Sequence, residues 1–202
     1  MLRREFVGLS IDRVNNQAIR GISLGWNPLR TAREIRRIAE GFPAGQANNL
    51  MRTLQLTSYR DGGVVHQTAN VGIIQQVIRI TSLDMRTCLA CVAQHGDVIW
   101  DSERDAGTAI PRVNDHHQGR CTSVVRVRGR EVNVRTGADW YNGLSEGERR
   151  ELAGSANYEA MSAGAVGLRD FIAPYDDAVF GEMVGEASLR GLLGDGAREY
   201  YR

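Results

Sequence analysis

All three cysteines of this 202-residue chain fall between Asp84 and Cys121, and so do three of its four histidines. The stretch opens as Asp84-Met85-Arg86-Thr87-Cys88-Leu89-Ala90-Cys91 and closes as His116-His117-Gln118-Gly119-Arg120-Cys121. A C-x2-C pair followed at a distance by H-x4-C has the ligand spacing of a tetrahedral zinc site. A tight turn supplies two thiolates at once, and Zn2+ takes four borderline-soft ligands at about 2.0–2.3 Å. The candidate ligands are Cys88, Cys91, His116 and Cys121, with His117 as the alternative imidazole. Three thiolates and one imidazole leave no coordination position for water, so a zinc ion here would be structural. The competing reading is three cysteines packed as small hydrophobes without metal. Three cysteines, one of them necessarily odd, argue against a disulfide scaffold and for a reducing compartment.

A chain of this length suffices for one domain with a true core, or a core with a small appendage. No apolar run approaches the roughly 20 residues of a membrane-spanning helix. The N-terminus lacks the apolar core of a signal peptide, so no membrane contact is expected. The net charge of +1 conceals a split. Residues 1–60 hold ten arginines against four acids, residues 61–134 eight of each, and residues 135–202 seven arginines against twelve acids. Every basic side chain besides histidine is arginine. A basic front and an acidic back suit docking at either end, copies of the same chain included. Solvated helical faces would show the same pattern.

Along the chain, Leu2, Phe6, Leu9, Val14, Ala18 and Ile22 recur at helical spacing and predict a helix over 1–22, broken by Gly25-Trp26-Asn27-Pro28. With little to bury itself against, this helix is expected to project and dock on a partner. A second helix is expected over Leu29 to Glu40, stopped by Gly41-Phe42-Pro43, and a third over Ala44 to about Ala69, interrupted near Asp61-Gly62-Gly63. The β-branched run over 76–83 predicts a strand, and Val98-Ile99-Trp100 a second, forming a hairpin with the two thiols at its tip. Thr122 to Val127 predicts a third strand, with Val132 to Val134 a candidate fourth. The tail is read as helical: Ser145 to Leu152, with Ser145 and Glu148 as a capping box, Ala156 to Ala163, and a last helix over Ser188 to Leu193. Gly164 to Ile172 is left between short strand and helix, and Pro174-Tyr175-Asp176-Asp177 reads as a turn. Trp140, Tyr158, Phe171 and Phe180 are expected in the core. The fold class is therefore α+β: N-terminal helices, a small antiparallel sheet with a zinc-ribbon-like knuckle, and a helical C-terminal tail. Residues 1–72 would form the helical region and 73–202 the sheet, knuckle and tail, as two parts or as one continuous domain.

The pattern D-x-R-T-C-x-x-C, then a G-x-V/I strand, then a proline, then H-x-x-x-R-C resembles the C-terminal signature of the Mu F-like phage minor head proteins, also called phage head morphogenesis proteins. That family usually closes on H-x-x-C-R-C. Here Gly119 stands where the extra cysteine is usual, which leaves Cys121 as the only downstream thiol. Upstream, Met51-Arg52-Thr53 is similar to the family's R-T-E, with Leu54 replacing the acid. Downstream, the stretch from Asp139-Trp140 through Ser188-Leu189 resembles its tail. The likeness covers roughly residues 25–195 and is strongest over 84–121. It implies a structural, non-enzymatic minor capsid protein, assembled in the host cytoplasm and located in the head interior or at the portal vertex. The implied partners are the portal protein and the major capsid protein, with contact to packaged DNA during packaging or ejection and a possible homo-oligomer within the head.

Three enzyme classes share residue types with this stretch. A thiol oxidoreductase should open a helix with its C-x-x-C in a βαβ setting, whereas a hairpin is expected here. Asp115-His116-His117 after C-x-x-C echoes an HNH nuclease, but no histidine follows His117 and a valine-rich strand replaces the required helix. No G-x-S-x-G elbow is present for a serine hydrolase. The alternative function is a zinc-ribbon or HNH-like nucleic-acid-binding protein or nuclease. It would use the arginine-rich front, in which the aromatics do not interleave with the basic residues.

Overall fold

The computed structural model describes residues 11–38 and 43–201. The chain divides into two units, Met1–Asp61 with His117–Gly119, and Gly62–His116 with Arg120–Arg202.

The first unit is helical. Helix α1 (Ile11–Ser23) is followed by α2 (Pro28–Ile38) and by α3 (Ala44–Ala69), whose last turns belong to the second unit. The turn between α1 and α2 is written in its residues. Gly25 takes φ 62°, and the Trp26 N–H donates to the Gly21 carbonyl at 2.8 Å. The Asn27 side chain caps α2 by accepting from the Leu29 N–H at 2.9 Å. Pro28 takes the first helical position, where a missing N–H costs nothing. Ala18, Ala32, Ile35, Ala47 and Met51 form the core, with Val14, Leu50 and Leu54 against it. The described part of the first helix therefore does bury a face, through Ala18, and the expectation that it projects for want of packing is corrected. Residues 1–10, 39–42 and 202, which include the start of that helix and Glu40-Gly41-Phe42, lie outside the described residues.

Helix α3 runs unbroken through Asp61-Gly62-Gly63, against the expected interruption. Glycine lowers helix propensity by about 1 kcal/mol per residue without removing the backbone hydrogen bonds, and here the bonds prevail. In the Arg52-Thr53 pair the arginine is exposed and the threonine is buried. The Thr53 hydroxyl donates to the Asn49 carbonyl at 2.8 Å and accepts from the Gln118 N–H at 3.0 Å. The buried Arg60 guanidinium donates to the Gly119 carbonyl at 2.6 Å.

The second unit holds a three-stranded antiparallel sheet in the order β2-β1-β3, made of β1 (Ile74–Ile80), β2 (Val98–Asp101) and β3 (Thr122–Val127). Its third strand has the predicted bounds, while the first starts earlier and ends earlier than expected. Ile74, Val77, Trp100 and Ile110 form the core of the sheet. Val132 to Val134 is not a strand. The two thiols are not at a hairpin tip either: the β1–β2 connection contains a five-residue helix, α4 (Leu89–Ala93), and all five of its residues are buried.

The tail carries α5 (Gly137–Asn142), α6 (Glu146–Ala153), α7 (Ser155–Ser162) and α8 (Leu189–Leu193). The Ser145–Glu148 capping box is formed. One element is missing from the sequence reading. Pro174 to Asp177 belongs to β4 (Ile172–Asp177), which pairs antiparallel with β5 (Gly181–Glu186) in a separate two-stranded sheet. An edge strand accepts proline because its N–H faces away from the ladder. The tail core is Leu89, Val92, Tyr141, Ala153, Ala160, Val166, Phe171, Leu189 and Ala197, with Trp140 and Tyr158 against it. Phe180 lies half-buried in the β4–β5 turn and is not part of this cluster.

Candidate metal centre

The centre is assembled by two loops tied to each other at their ends. In the first, the Asp84 carboxylate accepts from the Arg86 N–H at 2.9 Å and from the Thr87 hydroxyl at 3.2 Å, the local turn that aspartate favours. The Thr87 hydroxyl also reaches the Ser82 carbonyl. Arg120, from the second loop, clamps the same carboxylate with Nη1 to Oδ2 at 2.6 Å and Nη2 to Oδ1 at 2.7 Å. A planar guanidinium matches a carboxylate in this two-pronged way. The first residue of the motif is thus bonded to the arginine of its closing R-C.

That clamp holds Asp84 well below the usual carboxylate range, chiefly through the Arg120 hydrogen bond. A carboxylate whose folded pKa is depressed contributes stability that is present above its unfolded pKa and lost as pH falls through the folded value. Asp84→Asn should therefore lower the urea midpoint at neutral pH, and its deficit relative to the wild type should narrow as the pH drops below the ordinary carboxylate range. Parallel midpoint curves over pH 7 to 2.5 would show that Asp84 makes no such contribution.

Cys88 stands at the N-cap of α4 in extended backbone, and Cys91 lies one turn on. The helix begins here because the Glu186 carboxylate accepts the Leu89 N–H at 2.5 Å, satisfying a donor that no side-chain cap serves. Burial pushes the Glu186 carboxyl up. Leu89 and Val92 point into the tail core, while Cys91 joins Cys121 and Val113, with Cys88 and Ile99 packed against them.

The structure places the four expected ligands in two overlapping groups rather than one. Cys88 Sγ lies 3.5 Å from His116 Nε2, and Cys91 Sγ lies 3.3 Å from Cys121 Sγ. Cys88, Cys91 and His116 form one group whose ligand atoms lie within 4.8 Å of one another, and Cys91, Asp115 and Cys121 form a second, so Cys91 is shared. Tetrahedral zinc with sulfur at about 2.3 Å and nitrogen at about 2.0 Å sets edges of roughly 3.7 Å between sulfurs and 3.5 Å between sulfur and nitrogen. The Cys88–His116 edge matches this and the Cys91–Cys121 edge is a few tenths of an ångström short, while Cys121 stands outside the group of Cys88 and His116, so one ion on all four requires the second loop to move inward. His117 is in neither group. His95 turns to another task, its Nδ1 accepting from the Thr81 N–H at 3.0 Å.

Two residues here carry no ligand spacing in the sequence. The Asp115 side chain is fully buried, and its carboxylate accepts from the N–H groups of His116 and Cys121, both at 2.9 Å. It thereby fixes the backbone on either side of the loop that carries two candidate ligands. Arg79, buried on β1, donates from Nη2 to Cys121 Sγ at 3.3 Å. The D-H dipeptide was the only hint of Asp115, and nothing pointed to Arg79.

The three sulfurs act on one another's protons. Hydrogen bonding from Cys91 and then from His116 draws Cys88 down to about 5, against burial. The hydrogen bond with Cys91 also lowers Cys121, while the neighbouring sulfurs push Cys91 up. Three sulfurs this close cannot all ionise unless a cation joins them. A divalent metal supplies that charge, and thiolate, imidazole and carboxylate are all metal-ligand chemistries.

Comparison of the chain with family models, with curated proteins and with solved structures finds no match. Among the described residues, no helix is long and apolar enough to cross a membrane.

Proposed function

We propose that Cys88, Cys91, His116 and Cys121 bind one structural Zn2+, and that the chain is a minor head protein of the Mu F-like type. In that role it would associate with the portal and the inner head surface as a virion assembles. The observation that carries this reading is the Asp84–Arg120 clamp. The residues by which the sequence resembles that family are bonded to one another and enclose the thiols, so they behave as one structural unit. Zinc would supply the charge that lets three thiolates coexist, and it would tie the two loops to α4.

The same geometry supports a non-catalytic role. A thiol oxidoreductase would also place its first cysteine at a helix N-terminus, as Cys88 is here. Against that class stand the antiparallel strands on either side of α4 and the third thiol, 3.3 Å from Cys91. Cys88, His116 and Asp115 have the residue types of a hydrolase triad, yet Cys88 Sγ and Asp115 Oδ1 both face the same ring nitrogen, Nε2, at 3.5 and 3.6 Å. A proton relay needs the two groups on opposite nitrogens. The Leu89 N–H, which could serve as an oxyanion donor, is occupied by Glu186. For an HNH nuclease a helix should follow the histidines, and β3 follows instead.

The test is co-expression with the portal protein of the same genome, together with mass spectrometry of purified particles. Co-purification and presence in particles at low copy number are expected. Absence from both would overturn the head-protein reading. Metal-dependent nicking of plasmid DNA, lost in His116→Ala and kept in Cys88→Ala, would replace it with the nuclease.

A further inference from the structure

Arg79 is only 3% exposed, in the central strand of the sheet. Its backbone is fixed on both sides, the N–H donating to the Asp97 carbonyl at 2.8 Å and the carbonyl accepting from the Gly96 N–H at 2.9 Å. The guanidinium therefore has one place to go. Nη1 donates to the Asn114 carbonyl at 2.5 Å, Nη2 donates to Cys121 Sγ at 3.3 Å, and Nη2 lies 3.9 Å from Asp115 Oδ1. An arginine does not lose its proton in a protein interior. A fixed positive charge is thus buried against the thiol cluster, and an unpaired buried charge is strongly unfavourable.

Charge counting separates the two states of the cluster. With no metal, Arg79 already has the Asp115 carboxylate beside it, Nη2 3.9 Å from Oδ1. With a divalent cation, three thiolates and a neutral imidazole, the ligand set carries one negative charge, and Asp115 adds a second. Arg79 then reduces a buried double negative charge to a single one, and it does so at Cys121, the sulfur to which it donates. The arginine is worth more to the loaded centre than to the empty one. Asp115 complements it by holding the His116 and Cys121 backbones in place.

We infer that Arg79 is a positioning residue of the metal centre, which favours the metal-loaded state by placing its positive charge on the Cys121 thiolate. This rests on the zinc reading above. Groups outside the ligand set that orient or polarise ligands typically govern metal affinity by about 10–100-fold.

Two substitutions separate charge from packing. Arg79→Met keeps an apolar stem of similar length and removes the charge, whereas Arg79→Lys keeps the charge and removes the planar fork. Zinc affinity is measured on the full chain under reducing conditions, by competition with a chromophoric chelator. Co2+ is used in parallel to read thiolate-to-metal charge-transfer intensity. Arg79→Met should bind zinc about 10–100-fold more weakly, and its cobalt spectrum should lose the contribution of one thiolate as Cys121 leaves the metal. Arg79→Lys should stay within about threefold of the wild type, well below that range, with the three-thiolate spectrum kept.

Wild-type affinity in Arg79→Met overturns the inference, as does an equal loss in both variants, which would mark a packing role. Should Arg79→Met not fold, the lysine variant decides, since a tenfold or larger loss there denies the charge role. A wild-type chain that takes up neither zinc nor cobalt removes the metal reading itself, and that result is visible before any variant is made.

Discussion

Wild-type protein purified under reducing conditions should carry about one zinc per chain, and Cys91→Ser should carry none. Cys91 is the decisive position because it belongs to both ligand groups and is 4% exposed. Serine is nearly isosteric but offers a hydroxyl in place of a thiolate, so the packing stays and the soft ligand goes. A site bound at a thousand times its Kd stabilises the folded state by about 4 kcal/mol. For a chain of this size that corresponds to a fall in Tm of roughly 10 °C. Chelation of the wild type should produce the same fall, and the chelator should leave Cys91→Ser unchanged. Zinc-free wild-type protein, with a Cys91→Ser variant that melts at the same temperature, would mean that the thiols are packed without metal.

The size of that effect follows from the two faces of α4. Leu89 and Val92 belong to the tail core, while Cys91 joins Cys121 and Val113 beside the sheet. A helix of five residues cannot sustain itself, since nucleation alone outweighs what so few hydrogen bonds return. Its stability is borrowed from both sides: Glu186 at its first N–H, hydrophobic burial toward the tail, and the sulfur cluster toward the sheet. Under the zinc reading the metal supplies the strongest of these supports. Its loss would loosen the junction between sheet and tail as well as the two loops.

What could be read from the sequence was local. Metal-ligand spacing is a short-range property, so C-x2-C and H-x4-C single out four candidate side chains, which the fold divides between two groups that share Cys91. The alternation of Thr122 to Val127 and the Ser145–Glu148 pair are likewise visible within a few residues. The misses arise where a residue gains its role from distant partners. Arg79 gains its role only because the fold buries it against Cys121, 42 positions away. Pro174-Tyr175-Asp176-Asp177 has the composition of a turn, and only its pairing with β5 makes it a strand. Helix α4 is too short to show periodicity, so in the sequence its cysteines read as the tip of a hairpin. That aromatics and arginines do not interleave in the basic front is also a linear reading: Trp26 lies between Arg20 and Arg30, whose guanidinium carbons are 5.6 and 4.0 Å from the ring centroid. Such contacts between arginine and an aromatic face occupy the ring.

Phe171→Ala should be the most damaging single truncation in the tail. Phe171 is the largest of the fully buried side chains, at 0% exposure, and it sits in the cluster that contains Leu89 and Val92. Truncating a buried phenylalanine loses its transfer free energy and leaves a cavity, together about 3–5 kcal/mol. The backbone would not compensate, because the Phe171 carbonyl is already committed to the Ala187 N–H at 2.9 Å and holds β4 against the chain leaving β5. Phe180→Ala is the matched control: the same chemistry at a half-buried turn position outside the cluster should cost about 1 kcal/mol or less. Urea midpoints of the two variants, measured in the same buffer, give the comparison directly. Because the lost volume opens beneath α4, Phe171→Ala should also release zinc to a competing chelator faster than the wild type, while Phe180→Ala should not. Equal midpoints for the two variants would mean that the tail does not brace α4, and that the metal loops stand without it.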